Sequence, residues 1–282
     1  MYKLALIFLL STSYIFSNIN AIVSIVPEHT FLKKIGGKYV NIALMVQAGN
    51  SPHTYEPKPS QMIAISKANL YFAIGVEFEH VWLPKFQNLN KQMQTVDISK
   101  HIQKIPMQNP HHTHKKESHK EDDPHIWTSP SNVKIIAQNM YNALVTSDTK
   151  NEVYYKANLE TFLRLIDITD TKIKQTLSHL KGERTFMVFH PSWGYFAKEY
   201  NLTQMVVEIE GKSPKPKELV KLIKEAKTAK VKAIFTQPEF SDNAAKIIAN
   251  ELHIPVVKVS PMAKNWSENL INIAKHIVGT NE

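Results

Sequence analysis

The sequence predicts an α/β protein: two α/β halves, each a parallel sheet flanked by helices, joined by one long helix. Three observations lead there. Short β-branched runs alternate with longer stretches of helical periodicity, the pattern of strands connected by crossover helices. Residues 152–180 contain no Gly or Pro and place Val153, Tyr154, Leu159, Phe162, Leu163, Ile166, Ile173, Leu177 and Leu180 at helical spacing. A comparable alternation of strand and helix patterns lies on each side of that stretch.

The first 21 residues read as a leader rather than part of the fold. Lys3 is a short basic start, 4–16 are apolar apart from Ser and Thr, and 17–21 are mostly small or polar and end at Ala21. The apolar run of about 13 residues falls short of the roughly 18 that span a bilayer. Ile19 is an awkward residue three places before a cut at Ala21, and an uncleaved anchor is the alternative. In the first half, 22–150, strands are expected at 22–26, 40–46, 70–74 and 95–98, and helices at 30–35, 58–68 and 131–145. The linking helix occupies 151–182; Gly182 supplies its stop, and 29 helical residues reach roughly 43 Å, the width of a domain. In the second half, 183–282, strands are expected at 185–189, 206–209, 232–236 and 256–259, with helices at 216–229, 243–252 and 266–278. A single domain with one long packed helix is the competing arrangement.

Composition narrows the chemistry. The 282 residues include no cysteine, which removes thiolate metal sites, disulfides and a lipid-bearing cysteine. A metal site must therefore use His, Asp or Glu. The net charge of +9 raises nucleic acid as a partner. Export argues against it, and the lysines of 215–230 are spread as a solvated helix face would spread them. An exported chain without a lipid anchor is expected in a periplasm, as a monomer.

One segment has a different composition. Residues 111–125 read HHTHKKESHKEDDPH, with five histidines in fifteen residues and no apolar periodicity, so a solvated loop is expected. His111, His112, His114 and His119 form its flexible part. A weak accessory role toward metal competes with an insertion of no function.

Three further histidines sit in more rigid settings. His53 lies between the strand at 40–46 and a helix near Lys58, among Pro52, Tyr55, Glu56 and Pro57; parallel sheets bind ligands in loops of this kind. An exposed turn histidine would look the same. His125 is bracketed by Pro124 and Pro130 and followed by Trp127, or it is simply the last member of the His-rich stretch. His190 ends a buried strand before Pro191, Ser192, Trp193 and Gly194, where a hydrogen-bonded structural histidine would also fit. Imidazoles delivered from two halves toward a shared cleft suit Zn(II), which favours nitrogen and carboxylate donors when no thiolate is present.

Four segments then carry a specific resemblance. Residues 49–85 (GNSPHTYEPKPSQMIAISKANLYFAIGVEFEHVWLPK), 123–130 (DPHIWTSP), 187–202 (MVFHPSWGYFAKEYNL) and 207–252 resemble, in order, three metal-ligand motifs and the second-lobe core of a known family. That family is the zinc- and manganese-uptake (cluster A-I) solute-binding proteins of ABC transporters, and the likeness runs over essentially the whole chain after the leader. The resemblance implies two pseudo-symmetric lobes on a rigid helix and a metal held between them by His53, His125 and His190. It also implies delivery to a membrane permease. Histidine at the third motif marks zinc members, where manganese members tend to carry Glu; imidazole suits zinc and hard oxygen donors suit manganese. The family's fourth ligand is an Asp in a late Asp-Pro pair, and here Ser260 precedes Pro261. A serine hydroxyl is a poor zinc ligand, so water is expected in the fourth position, with Glu208, Glu210 and Glu239 as the carboxylate alternatives.

Other readings compete. A zinc hydrolase needs a base beside an open metal position. The chain has no His-Glu-x-x-His helix, and Glu56 beside Pro57 sits in a turn. A manganese or iron carrier of the same fold and a surface adhesin are the remaining alternatives. With no Pro or Gly in the linking helix, the halves are expected to move little, and release to depend on loops near His125 and His190.

Overall fold

The computed structural model describes residues 18–108, 122–180, 182, 184–208 and 212–279. The first lobe begins with β1 (Ile19–Val23), α1 (Val26–Gly36), β2 (Val40–Leu44), α2 (Pro59–Ser66), β3 (Leu70–Ala73), α3 (Glu77–Leu89) and β4 (Gln94–Asp97). After the His-rich segment, α4 (Pro130–Ser147) leads into the long α5 (Glu152–Ser178). The second lobe holds β5 (Thr185–Val188), α6 (Gly194–Glu199), β6 (Thr203–Val206), α7 (Pro216–Thr228), β7 (Ile234–Thr236), α8 (Asn243–Leu252), β8 (Val256–Lys258) and α9 (Trp266–Val278). The strand orders are β2-β1-β3-β4 and β6-β5-β7-β8, all pairs parallel. Both sheets thus carry the same 2-1-3-4 connectivity, and the carboxyl ends of their strands carry the loops that meet between the lobes.

Tertiary contacts shift several expected boundaries. β1 starts at Ile19, inside the stretch read as a leader, because Ile19 pairs with Val40 and Ala21 with Leu70 at the middle of the sheet. It ends at Val23 rather than 26, since the Glu28 carboxylate takes the Ser24 and Ile25 amides at 3.0 and 2.9 Å and turns the chain into α1. β6 lies at Thr203–Val206 and not 206–209, because its register is set by pairing with β5 from Thr185↔Thr203 to Val188↔Val206. Helix α3 was not anticipated; Pro84 inside it breaks the sequence signal. The short α6 was also missed.

The lobes share one apolar core. Phe31 of α1, Phe162 of α5 and Trp266 of α9 meet with ring centroids 5.4 and 5.5 Å apart, and the buried cluster runs on through Trp127, Trp193 and Phe235. A second, smaller cluster under α7 and α8 includes Met187, Leu222 and Ile248. Two indole N–H groups tie the lobes directly: Trp127 Nε1 donates to the Pro261 carbonyl at 2.8 Å, and Trp266 Nε1 to the Trp127 carbonyl at 2.7 Å.

Candidate metal centre

His53, His125 and His190 converge. One ring nitrogen from each lies within 4.8 Å of those of the other two, the only such His/Cys/Asp/Glu group among the described residues. The sheets explain much of the convergence: His53 lies in the connection after β2 and His190 two residues past β5, on the carboxyl side of parallel strands, while His125 stands just before α4. His125 and His190 are buried, while His53 is partly exposed. The ring of His190 stacks on Phe240 with centroids 4.7 Å apart.

Each imidazole is aimed by a carboxylate. His53 Nδ1 meets Glu77 Oε2 at 2.7 Å, His125 Nδ1 meets Asp123 Oδ1 at 2.7 Å, and His190 Nδ1 meets Glu208 Oε1 at 2.8 Å. With Nδ1 engaged, each ring presents Nε2, and His190 Nε2 is buried without a partner. A carboxylate on the far nitrogen fixes ring orientation and raises ligand basicity, the usual support for a metal-binding histidine. Asp123 is itself braced: Oδ1 also accepts the His125 amide at 2.9 Å, and its carbonyl accepts the Tyr195 hydroxyl of the other lobe at 3.0 Å. Burial pushes the Tyr195 phenol up to about 12, so this hydroxyl stays a donor at any physiological pH. Gly194 leaves room for the arrangement, since a Cβ there would stand 2.5 Å from Asp123 Oδ2.

The three rings border a cavity of about 30 Å³ whose wall includes Glu77, Trp127, Gln237, Glu239 and Met262. That is room for a water-sized group. The other residues expected near the metal divide. Glu239 lines this cavity. Glu208 gives Oε1 to His190, an aiming role; its Oε2 is buried without a partner, but Glu208 is not in the cavity wall. Ser260 lines the neighbouring groove with His29 and Lys264 and not the histidine cavity; its Oγ accepts the Met262 amide at 3.1 Å and donates to Glu239 Oε1 at 3.4 Å, so it touches the cavity only through Glu239. Glu210 and His111, His112, His114 and His119 lie outside the described residues. The flanks of the His-rich segment are joined by a Pro106–Asp122 bridge. Sequence reading missed the aiming roles of Glu77, Asp123 and Glu208. Only Asp123, two residues before His125, left a local signal.

Comparison with known proteins identifies the class this geometry belongs to. The chain superposes on a crystal structure of ZnuA with a TM-score of 0.86 and 38% identity, covering 94% of this chain and 100% of that one. A ZnuA deletion mutant with zinc bound gives a TM-score of 0.83 at 38% identity, over 94% and 98% of the two chains. Among curated sequences, a metal ABC transporter substrate-binding lipoprotein of Streptococcus cristatus is 28% identical over 85% of this chain and 77% of its own. A manganese ABC transporter substrate-binding lipoprotein of Streptococcus gordonii is 26% identical, with the same coverage. The protein is therefore of the class of metal-binding substrate-binding proteins that work with the permease and ATPase of an ABC transporter, a class that is not enzymatic. Residues 22–280 match the family model of the zinc-uptake complex component A, periplasmic, and the chain belongs to that family. Among the described residues no helix is long and apolar enough to cross a membrane.

Proposed function

We propose that the chain captures one Zn(II) between its lobes through Nε2 of His53, His125 and His190 and hands it to the membrane permease of an ABC importer. The observation that carries this reading is the three converging imidazoles, each with its far nitrogen taken by a carboxylate. An all-nitrogen set favours zinc over manganese, which takes oxygen donors. The zinc-uptake family model and the 38% identical ZnuA structures support the same choice, against relatives named for manganese. Water completes a tetrahedron, with Glu239 of the cavity wall as the carboxylate alternative. His111, His112, His114 and His119 of the His-rich stretch 111–122 supply weaker, accessory zinc sites. The protein acts as a monomer in the periplasm after loss of its leader. Relatives are named lipoproteins, but this chain has no cysteine to bear a thioether-linked lipid.

Purification without added metal, followed by elemental mass spectrometry, is expected to return about one zinc per chain. Manganese or iron in its place overturns the choice of metal. Because ligand imidazoles must be neutral, zinc affinity should weaken in acid. His190→Ala should reduce it at least about tenfold, measured by chelator competition.

A further inference from the structure

Gln237 lines the histidine cavity and carries a buried amide oxygen without a partner. It follows β7 immediately, at the same carboxyl end of the sheet that presents His190, and it is 3% exposed. It lines the cavity alongside the three histidines and Glu239. The orientation of its carboxamide is fixed from behind. Ser192 Oγ donates to the His190 carbonyl at 3.4 Å, so the lone pairs of that hydroxyl are what remain for Gln237, and Gln237 Nε2 donates to them. Oε1 is the end left over, buried and without a partner. The neighbouring His190 Nε2 is in the same condition. Two buried, unsatisfied acceptors bordering a space the size of a water are costly to the metal-free fold, and such groups in native proteins call for an explanation. A metal with one water accounts for both. The ion takes the imidazole nitrogen, and its water donates to the amide oxygen.

We infer that Gln237 is a positioning residue of the metal site, its Oε1 accepting a hydrogen bond from the water in the fourth coordination position. This rests on the zinc-capture reading above. Water, rather than the amide oxygen itself, is the ligand, because a neutral hard oxygen suits calcium, magnesium or manganese better than zinc. Water bound to zinc is acidified and a strong donor, so an acceptor in the wall holds it in place. The uncharged amide does this without adding a negative charge, which keeps the zinc releasable. A carboxylate at the same place would tighten binding and favour manganese.

The test compares the full chain with Gln237→Leu, Gln237→Glu and His190→Ala, all stripped of metal. Zinc and manganese affinities are measured by chelator competition at neutral pH, the cobalt(II) form is read by its visible absorption, and melting is followed without metal. Gln237→Leu is expected to bind zinc about tenfold more weakly, the usual effect of losing an outer partner, and to shift the cobalt spectrum. Its metal-free melting temperature should change little, since loss of the bond to Ser192 is offset by removal of an unpaired buried oxygen. Gln237→Glu should bind both metals more tightly, with the larger gain for manganese. Wild-type zinc affinity and an unchanged cobalt spectrum in Gln237→Leu, with binding lost in His190→Ala, overturn the inference and leave the histidine site standing. Wild-type affinity in His190→Ala removes both. If Gln237→Leu melts far below the parent, a purely structural role is the competing explanation, and Gln237→Glu then decides: unchanged or weaker zinc binding in it overturns the inference.

Discussion

The three histidine–carboxylate pairs differ in their surroundings, and this ranks their contributions. Asp123 and Glu208 are almost wholly buried beside buried rings, whereas the Glu77 and His53 side chains are 59% and 32% exposed. Water screens and substitutes for the exposed pair but not for the other two. Asp123→Asn and Glu208→Gln should therefore each weaken zinc binding by about tenfold or more, and Glu77→Gln by a few-fold at most. Equal losses from all three, measured by chelator competition, would contradict this ranking. Ser260→Ala should leave affinity within about twofold, because Ser260 does not line the cavity and reaches it only through a 3.4 Å hydrogen bond to Glu239. A separate carboxylate cluster lies deeper in the first lobe. Glu79 accepts from Ser24 Oγ and from the amides of Ile74 and Gly75 at 3.1 and 2.7 Å, and burial raises its carboxyl to about 7. Burial, with the charge of Glu79 beside it, also holds Glu28 well above the usual carboxylate range. A folded-state value above the unfolded 4.5 means the native state holds the proton more tightly. The associated stability is present below the unfolded value and is lost as pH rises through about 7. Relative to the parent, metal-free Glu79→Gln should gain melting temperature between pH 5 and pH 8. A difference that is flat across that window would place the proton elsewhere.

Helices and strands differ in how well the sequence foretold them. α8 and α9 were legible to the residue because amphipathic periodicity is local, and the long α5 because nothing interrupts it. β1 and β6 were each misplaced by three residues, since an apolar run says that a strand exists while its partners decide where it starts. The site divides the same way. His53, His125 and His190 stand in turn-rich motifs that can be read from sequence, whereas Glu77 and Glu208 reach their rings only through folding, 24 and 18 residues away. Two consequences belong to single elements. Because β1 is an inner strand that begins at Ile19, a leader cut after Ala21 would remove its pairing with Val40 and Asn41. Intact mass of the exported protein is expected to place the amino terminus at or before Ile19, and a chain starting at Ile22 would refute that. At the start of α6, Gly194→Ala would drive a methyl against the Asp123 carboxylate that aims His125. Zinc affinity should fall about tenfold with the fold intact by circular dichroism.

At the level of the whole molecule the question is what moves when metal enters or leaves. A hinge is poorly supported. α5 has 27 residues and would run about 40 Å without a Pro or Gly. The core continues from one lobe into the other, and the Trp127 and Trp266 indoles and the Tyr195 hydroxyl cross between them. Closing or opening the lobes as rigid bodies would break those bonds and open packed aromatic contacts, so the radius of gyration from solution scattering should change by less than about 0.5 Å on adding zinc, unlike a hinged binding protein. The motion must then be local, and burial says where. The sequence had pointed to loops near His125 and His190, but those are the buried, cross-braced members of the site. His53 instead sits on a loop whose residues 47–50 are exposed and whose backbone bonds are short-range, from Asn50 to Gln47 and from Thr54 to Ser51. A segment with few buried contacts and only local hydrogen bonds opens at low free-energy cost. Zinc bound by His53 would pin that loop onto the other two ligands, and its departure would free the loop again. Hydrogen exchange should therefore show amides of 47–54 gaining protection with zinc, at least about tenfold. Those of 123–129 and 188–193 should already be protected in the metal-free protein and change little. Equal gains in all three segments would point to a collective closure, and a gain confined to the segments around His125 and His190 would restore the release route that the sequence suggested.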